Sequence, residues 1–181
     1  MPDQRFPQRK HPAHGVRVVS SHPTIVFLTV CTKDRLPWLA TPEVHALLRS
    51  IWMGATAWFV GKYVIMPDHV HLFAAPGEVM RDGSAGASPS HVAGASPSHP
   101  TGVSPSHVPL EQWVRFWKSQ FTRRHRTPGH WWQAGHWDTR LRTWERYSDK
   151  WEYVRSNPVR HGLVDRAEDW PFQGEIYDLS W

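Results

Sequence analysis

A chain of 181 residues, 40% hydrophobic and 20% charged, has the length and composition of a single globular domain that can bury its own core. Its lone cysteine, Cys31, excludes an internal disulfide and a cysteine-built zinc site, and no apolar run approaches the roughly 18 residues of a bilayer span. The net charge of +5 suits a polyanionic partner without requiring one. Met1 to His14 is polar and basic and lacks the apolar core of a secretion signal, so a cytoplasmic location is expected.

Residues 1–22 read as a flexible arm, and 23–181 as one domain. Thr24 to Thr32 is an apolar, β-branched run and predicts a buried strand, in which Cys31 reads as a small core residue. Thr41 is a plausible N-cap with Pro42 after it, and Val44, Leu47, Leu48 and Ile51 continue at helical spacing, which predicts a helix over about 41–54. Ala57 to Met66 and His69 to Ala75 predict two strands joined by a tight turn at Pro67-Asp68.

Composition then shifts abruptly. Residues 82–109 hold no aromatic residue and no Lys or Arg. They repeat Ser-Pro-Ser-His with a period of eight, at Ser88 to His91, Ser96 to His99 and Ser104 to His107. So little apolar area cannot offset the entropy of ordering, so this segment is expected to be a disordered insertion.

Leu110, Trp113, Val114, Trp117 and Phe121 then form a helical stripe, with Arg115 and Lys118 on a face expected to point outward. His136 to Thr143 predicts a fourth strand, with Arg140 and Arg142 on one face. A last helix is expected from Trp144 to Asn157, ending near Pro158 because proline disfavours helix at the residue before it. The order β-α-β-β-α-β-α predicts an α+β fold: a ferredoxin-like antiparallel sheet (split βαβ), helices mainly on one face, and a further C-terminal helix.

Three features carry chemistry. His69 and His71, two apart on a strand, point to one face and make a pair of potential metal ligands; a chance pair is the alternative in a chain with 13 histidines. On the last helix Trp144, Tyr147, Trp151 and Val154 form a core stripe, and Tyr153 lies about 140° from its centre. Tyr153 with Asn157, four residues on, reads either as a nucleophile beside an oxygen ligand or as an exposed tyrosine and a helix-ending asparagine. Finally, 12 tryptophans and the basic run Arg115, Lys118, Arg123, Arg124 and Arg126 offer aromatic faces beside cations, as a single-stranded nucleic-acid site needs, although most of the tryptophans are expected to be core.

These residues also carry a resemblance. Met66-Pro67-Asp68-His69-Val70-His71-Leu72 resembles the HUH motif of single-tyrosine transposases. Tyr153 to Val164 (YVRSNPVRHGLV) resembles the tyrosine helix of their REP-associated branch, as do Asp169-Trp170-Pro171-Phe172 and Trp117 to Thr122 (WKSQFT). The resemblance implies an HUH-type domain that binds single-stranded or hairpin DNA. It would cut the adjacent strand through a covalent 5′-phosphotyrosine and rejoin it. By the same resemblance Tyr153 is the nucleophile, His69, His71 and Asn157 hold Mg²⁺ or Mn²⁺, and a monomer is favoured. Lys118, Arg123, Arg124, Arg140, Arg142, Arg155 and Arg160 are expected DNA contacts. The departure from the family pattern is the insertion at 82–109, which would impair binding if it crowded the DNA groove. The alternative functions are a hairpin-binding protein that does not cut and a His-metal hydrolase of small molecules.

Overall fold

The computed structural model describes residues 24–77 and 108–179. The expected arm at 1–22 and nearly all of the 82–109 insertion lie outside the described residues. The elements are β1 (Ile25–Cys31), α1 (Pro42–Met53), β2 (Trp58–Ile65), β3 (His69–Pro76), α2 (Leu110–His125), β4 (Trp137–Leu141), α3 (Trp144–Arg155), α4 (Asn157–Arg160) and β5 (Gln173–Glu175). A single antiparallel sheet runs in the order β4-β1-β3-β2-β5. Its first four strands have the ferredoxin-like order. No helix among the described residues is long and apolar enough to cross a membrane.

The two-residue period of β3 divides the molecule. Val70, Leu72 and Ala74 face α1 and α2, and join Val44, Leu48 and Trp52 of α1 and Trp113, Trp117 and Phe121 of α2 in the main core. His69, His71, Phe73 and Ala75 alternate with them and therefore belong to the opposite face. There Phe73 and Ala75 pack with Tyr147 and Trp151 of α3. The histidine pair and the tyrosine-bearing helix thus share one face of the sheet.

Local chemistry sets the helix starts. Thr41 caps α1 by accepting from the Val44 amide at 3.3 Å, and Thr143 caps α3 by accepting from the Arg146 amide at 3.3 Å. Three details differ from the sequence expectation. The chain gains β5, whose Gln-Gly-Glu sequence has no apolar alternation; its place is fixed by pairing with Lys62, Tyr63 and Val64. The last helix ends at Arg155, breaks at Ser156 and restarts as α4, which Pro158 tolerates because it sits in the first turn. Trp144 is 54% exposed rather than in the core stripe, although its ring stacks on buried Tyr147 at 5.0 Å. Of the other tryptophans, Trp38, Trp52, Trp58, Trp113, Trp117 and Trp170 are buried.

Candidate active site

The His pair begins where a turn is pinned to the end of β1. The Thr32 amide and hydroxyl both donate to the Asp68 carbonyl, at 2.9 and 3.0 Å, and the Met66 amide donates to the His69 carbonyl at 2.8 Å. This holds His69 and His71 with their Nε2 atoms 3.0 Å apart. Both rings are fixed from behind. The His71 Nδ1 lies 2.9 Å from the Thr29 hydroxyl, directly across the β1–β3 ladder, and its ring stacks on Phe27 at 5.4 Å. The His69 Nδ1 lies 2.7 Å from the Asp68 carboxylate, whose other oxygen accepts from the Arg35 Nε at 2.6 Å.

Arg35 is unusual in its backbone. It and Asp34 both take positive φ, 57° and 56°, a region that costs a residue with a side chain about 1 kcal/mol or more. From that position its guanidinium also donates to the buried Cys31 sulfur at 2.8 Å. The strained turn therefore aims one cation at the carboxylate that orients His69.

The tautomers follow from these partners. The Asp68 carboxylate, 2.7 Å from the His69 Nδ1, is a nearer partner than the Arg35 guanidinium at 3.4 Å, so His69 carries its proton on Nδ1 and offers a lone pair at Nε2. The Thr29 hydroxyl both donates and accepts. His71 can therefore donate from Nε2 to His69, or give its Nδ1 proton to Thr29 and present a second lone pair beside the first. Burial is the largest cause that lowers the pKa of each ring. For His71 the value is about 3, with His69, Arg35, Lys150 and His161 adding to the push. Both rings are neutral near pH 7, the form that ligates a metal.

The donor set fits a divalent ion. Two nitrogens each about 2.1 Å from one ion and at right angles to each other stand about 3.0 Å apart, close to the spacing found. Among the described residues no group of three or more His, Cys, Asp or Glu side chains could hold a metal. An ion held here would complete its shell with amide, water or substrate oxygens.

Tyr153 is 52% exposed on α3, away from the core as its helical phase requires. The Lys150 ammonium lies 5.5 Å and the Arg160 guanidinium 4.5 Å from its ring centre. Lys150 also lies 5.2 Å from the ring of Phe27, the residue stacked on His71. One lysine thus lies between the tyrosine and the ring that backs His71. A cleft of about 390 Å³ opens beside Tyr153, lined also by Arg140, Arg146, Asp149 and Lys150.

Asn157 is not the exposed i+4 neighbour of Tyr153 that a continuous helix would give. The break at Ser156 turns it inward, where it is 4% exposed, and its Oδ1 accepts from the Arg160 Nη1 at 3.2 Å. Arg160 is therefore the link between the asparagine and the tyrosine ring.

Lys118 also departs from expectation. Its ammonium turns inward instead of outward, is 8% exposed, and donates to the carbonyls of Gln133 and Gly135 at 2.6 and 3.0 Å, with that of Ala134 at 3.5 Å. Its apolar stem is part of a helix face that is more buried than the charge pattern implied, and burial brings its pKa down to about 8. Arg123 and Arg124 are exposed on the last turn of α2, and Arg142 is exposed just past β4. Arg140 lies on β4 with its Nε buried and without a hydrogen-bond partner, and Arg155 comes within 4.0 Å of Glu168.

The sequence reading did not single out Thr29, Arg35, Lys150 and His161. Lys150 stands three residues before Tyr153 and was open to detection by helical spacing. Thr29 and Arg35 reach the histidines only through the pairing of β1 with β3 and the strained turn after β1.

No family model matches the chain. It is 39% identical over 57 residues to the REP-associated tyrosine transposase of Escherichia coli (strain K12), covering 28% of this chain and 34% of that protein. A Haemophilus influenzae protein of the same family name is 28% identical over 89 residues, covering 38% of this chain and 50% of that one. Over these segments the chain is similar to REP-associated tyrosine transposases. It spans about a third to a half of the length of these curated relatives. A solved structure of a REP-associated tyrosine transposase bound to a REP hairpin aligns over 92% of this chain and 82% of that one, with a TM-score of 0.60 and 21% identity. That likeness shows the shared fold.

Proposed function

We propose that this protein is a metal-dependent, single-tyrosine DNA endonuclease and strand transferase that cuts single-stranded DNA beside a hairpin. The observation that carries the proposal is the pair of Nε2 atoms 3.0 Å apart, on the same sheet face as the helix of an exposed tyrosine flanked by two cations. His69 and His71, with the amide oxygen of Asn157 once Arg160 releases it, would hold Mg²⁺ or Mn²⁺. Bound there, the ion would supply charge neutralisation to the scissile phosphate. Mn²⁺ suits the imidazole pair better, because imidazole favours softer ions than Mg²⁺.

The side chains have separable tasks. Thr29 and Asp68 orient the two imidazoles, and Arg35 holds Asp68. The Tyr153 oxygen attacks the phosphorus, forming a bond from tyrosine to the 5′ phosphate, while the bond from phosphorus to the 3′ oxygen breaks and that oxygen leaves as a 3′-hydroxyl. Lys150 and Arg160 set positive charge against the tyrosine as it attacks. The linkage conserves the phosphodiester, so a 3′-hydroxyl from another strand reverses the step and completes transfer without a nucleotide cofactor. Each chain is taken to act with its own tyrosine. Arg123, Arg124, Arg140, Arg142 and Arg155 remain candidates for phosphate contacts, and Lys118 is left out because its charge is engaged within the fold.

The test is cleavage of a labelled hairpin with a single-stranded flank, taken from the repeats next to the gene. Cutting that needs Mn²⁺, stops with EDTA and is lost in His71→Ala supports the proposal. Tight hairpin binding without cutting under any divalent ion would overturn it in favour of a binding protein.

A further inference from the structure

Between Trp131 and Gly135 the chain is held from two sides. The Trp131 carbonyl accepts from the Lys33 amide at 2.8 Å, Trp132 bridges to Thr32, and the Gln133 amide donates to the Cys31 carbonyl at 2.9 Å. On the other side the Lys118 ammonium gathers the carbonyls of Gln133 and Gly135. Trp132 turns inward and packs edge-on against Trp38, Trp117 and Phe121. Trp131 does the reverse: it is 51% exposed and has no ring partner among the described residues. A large apolar ring held outward by a doubly pinned backbone is not explained by the core, which Trp132 serves at this point.

The surroundings indicate what the ring is for. Three clefts adjoin along this strip. The first, about 460 Å³, is lined by Lys33, Asp34, Arg35 and Trp132 to Ala134. The second, about 280 Å³, shares Trp132 to Ala134 with the first and adds Arg115 and Trp131. The third, about 200 Å³, shares Trp131 with the second and adds Arg126 and the hydrogen-bonded pair His125 and His130. The strip starts beside the support of the histidine pair, because Arg35 both lines the first cleft and contacts Asp68 and the Nδ1 side of His69. Basic residues therefore outnumber the one acidic residue, Asp34, along a path from the support of the histidine pair past an exposed tryptophan. Of these, only Arg35 and Arg115 are paired with carboxylates among the described residues.

We infer that this strip is a track for single-stranded DNA leading from the histidine pair, with Trp131 as the platform on which an unpaired base stacks. The inference rests on the reading of the protein as an enzyme of single-stranded DNA and adds where the strand lies. Phosphates pass the cations at Lys33, Arg35 and Arg126, and the base meets the face of Trp131, which accepts any base because every base has a π-face. Lys118 is a positioning residue in this scheme. Its charge fixes the carbonyls of the platform loop, so that no ordering of the ring is needed when the strand arrives.

The experiment is fluorescence anisotropy with a labelled single-stranded oligothymidylate and a duplex of mixed sequence, in EDTA, for the wild-type chain, Trp131→Ala and Trp131→Phe. Loss of one base stack weakens single-strand binding about 5- to 150-fold in Trp131→Ala. Trp131→Phe restores most of that loss, duplex binding is unaltered, and thermal melting shows all three chains folded. If the wild-type chain binds the single strand and Trp131→Ala binds it equally well, the track is wrong while the enzymatic reading stands. An equal loss on single strand and duplex would also overturn it, since that marks a general disturbance of the basic surface. If the wild-type chain binds no single strand at all, the track and the enzymatic reading fail together.

Discussion

Replacing Thr29 with valine removes one hydroxyl and keeps the β-branched shape that a central strand favours. The Thr29 hydroxyl lies 2.9 Å from the His71 Nδ1 and is the partner that lets His71 hold its proton away from the metal side. In Thr29→Val that proton has no acceptor. His71 then keeps the tautomer that donates from Nε2 to His69, so the second lone pair is not presented. Loss of an outer-shell partner of this kind lowers metal affinity about 10- to 100-fold, equivalent to about 1.4 to 2.7 kcal/mol. Folding stability should change by less than about 1 kcal/mol, because the lost hydrogen bond is offset by the added methyl in an apolar setting. Isothermal titration with Mn²⁺ gives the affinity, and urea unfolding without metal gives the stability. Unchanged Mn²⁺ affinity in Thr29→Val would refute the role of this hydroxyl and the tautomer argument built on it.

Other consequences can be measured separately. Lys118→Met leaves the Gln133 and Gly135 carbonyls without their ammonium donor and should destabilise the chain by about 2 to 3 kcal/mol in urea unfolding; an unaltered midpoint would contradict the inward placement of this lysine. Tyr147→Ala should cost about 3 kcal/mol or more because Tyr147 is 2% exposed between α3 and the sheet, whereas Trp144→Ala should cost no more than about 1 kcal/mol; equal losses by thermal melting would contradict the exposed position of Trp144. Arg160→Ala removes both the cation over the Tyr153 ring and the donor to Asn157, and should slow single-turnover cleavage about ten-fold or more with hairpin affinity changed much less. A purely affinity-based loss would reassign Arg160 to DNA binding.

Most of the fold was legible because its signals are periodic and local. The alternation of β3 set His69 and His71 on one face, the phase of α3 turned Tyr153 outward, and Thr41 with Pro42 marked the start of α1. What the sequence hid depends on long-range pairing. β5 has only three residues and no pattern, and it exists because the free edge of β2 accepts it. Thr29 is one of several β-branched residues in β1 until the β1–β3 register sets it opposite His71. Lys118 looked like part of an outward basic face, because charge alone does not report that three carbonyls converge on the inner side of the helix. Asn157 followed from spacing along one helix, and the break at Ser156 changed its surroundings. The aromatic-beside-cation composition pointed to single-stranded nucleic acid, but most of those tryptophans pack in or against the core; Trp131 and Trp144 are the exposed ones among the described residues, and for Trp131 the pinned backbone explains the exposure.

The central claim is that Tyr153 becomes joined to DNA. It is tested most directly by incubating the wild-type chain and Tyr153→Phe with a hairpin oligonucleotide labelled 3′ of the cut, with Mn²⁺, and measuring the mass of the protein under denaturing conditions. The account predicts a covalent adduct that carries the label on the peptide containing Tyr153, requires the metal, and is absent from Tyr153→Phe. Cleavage that continues in Tyr153→Phe, or an adduct on another residue, would contradict it.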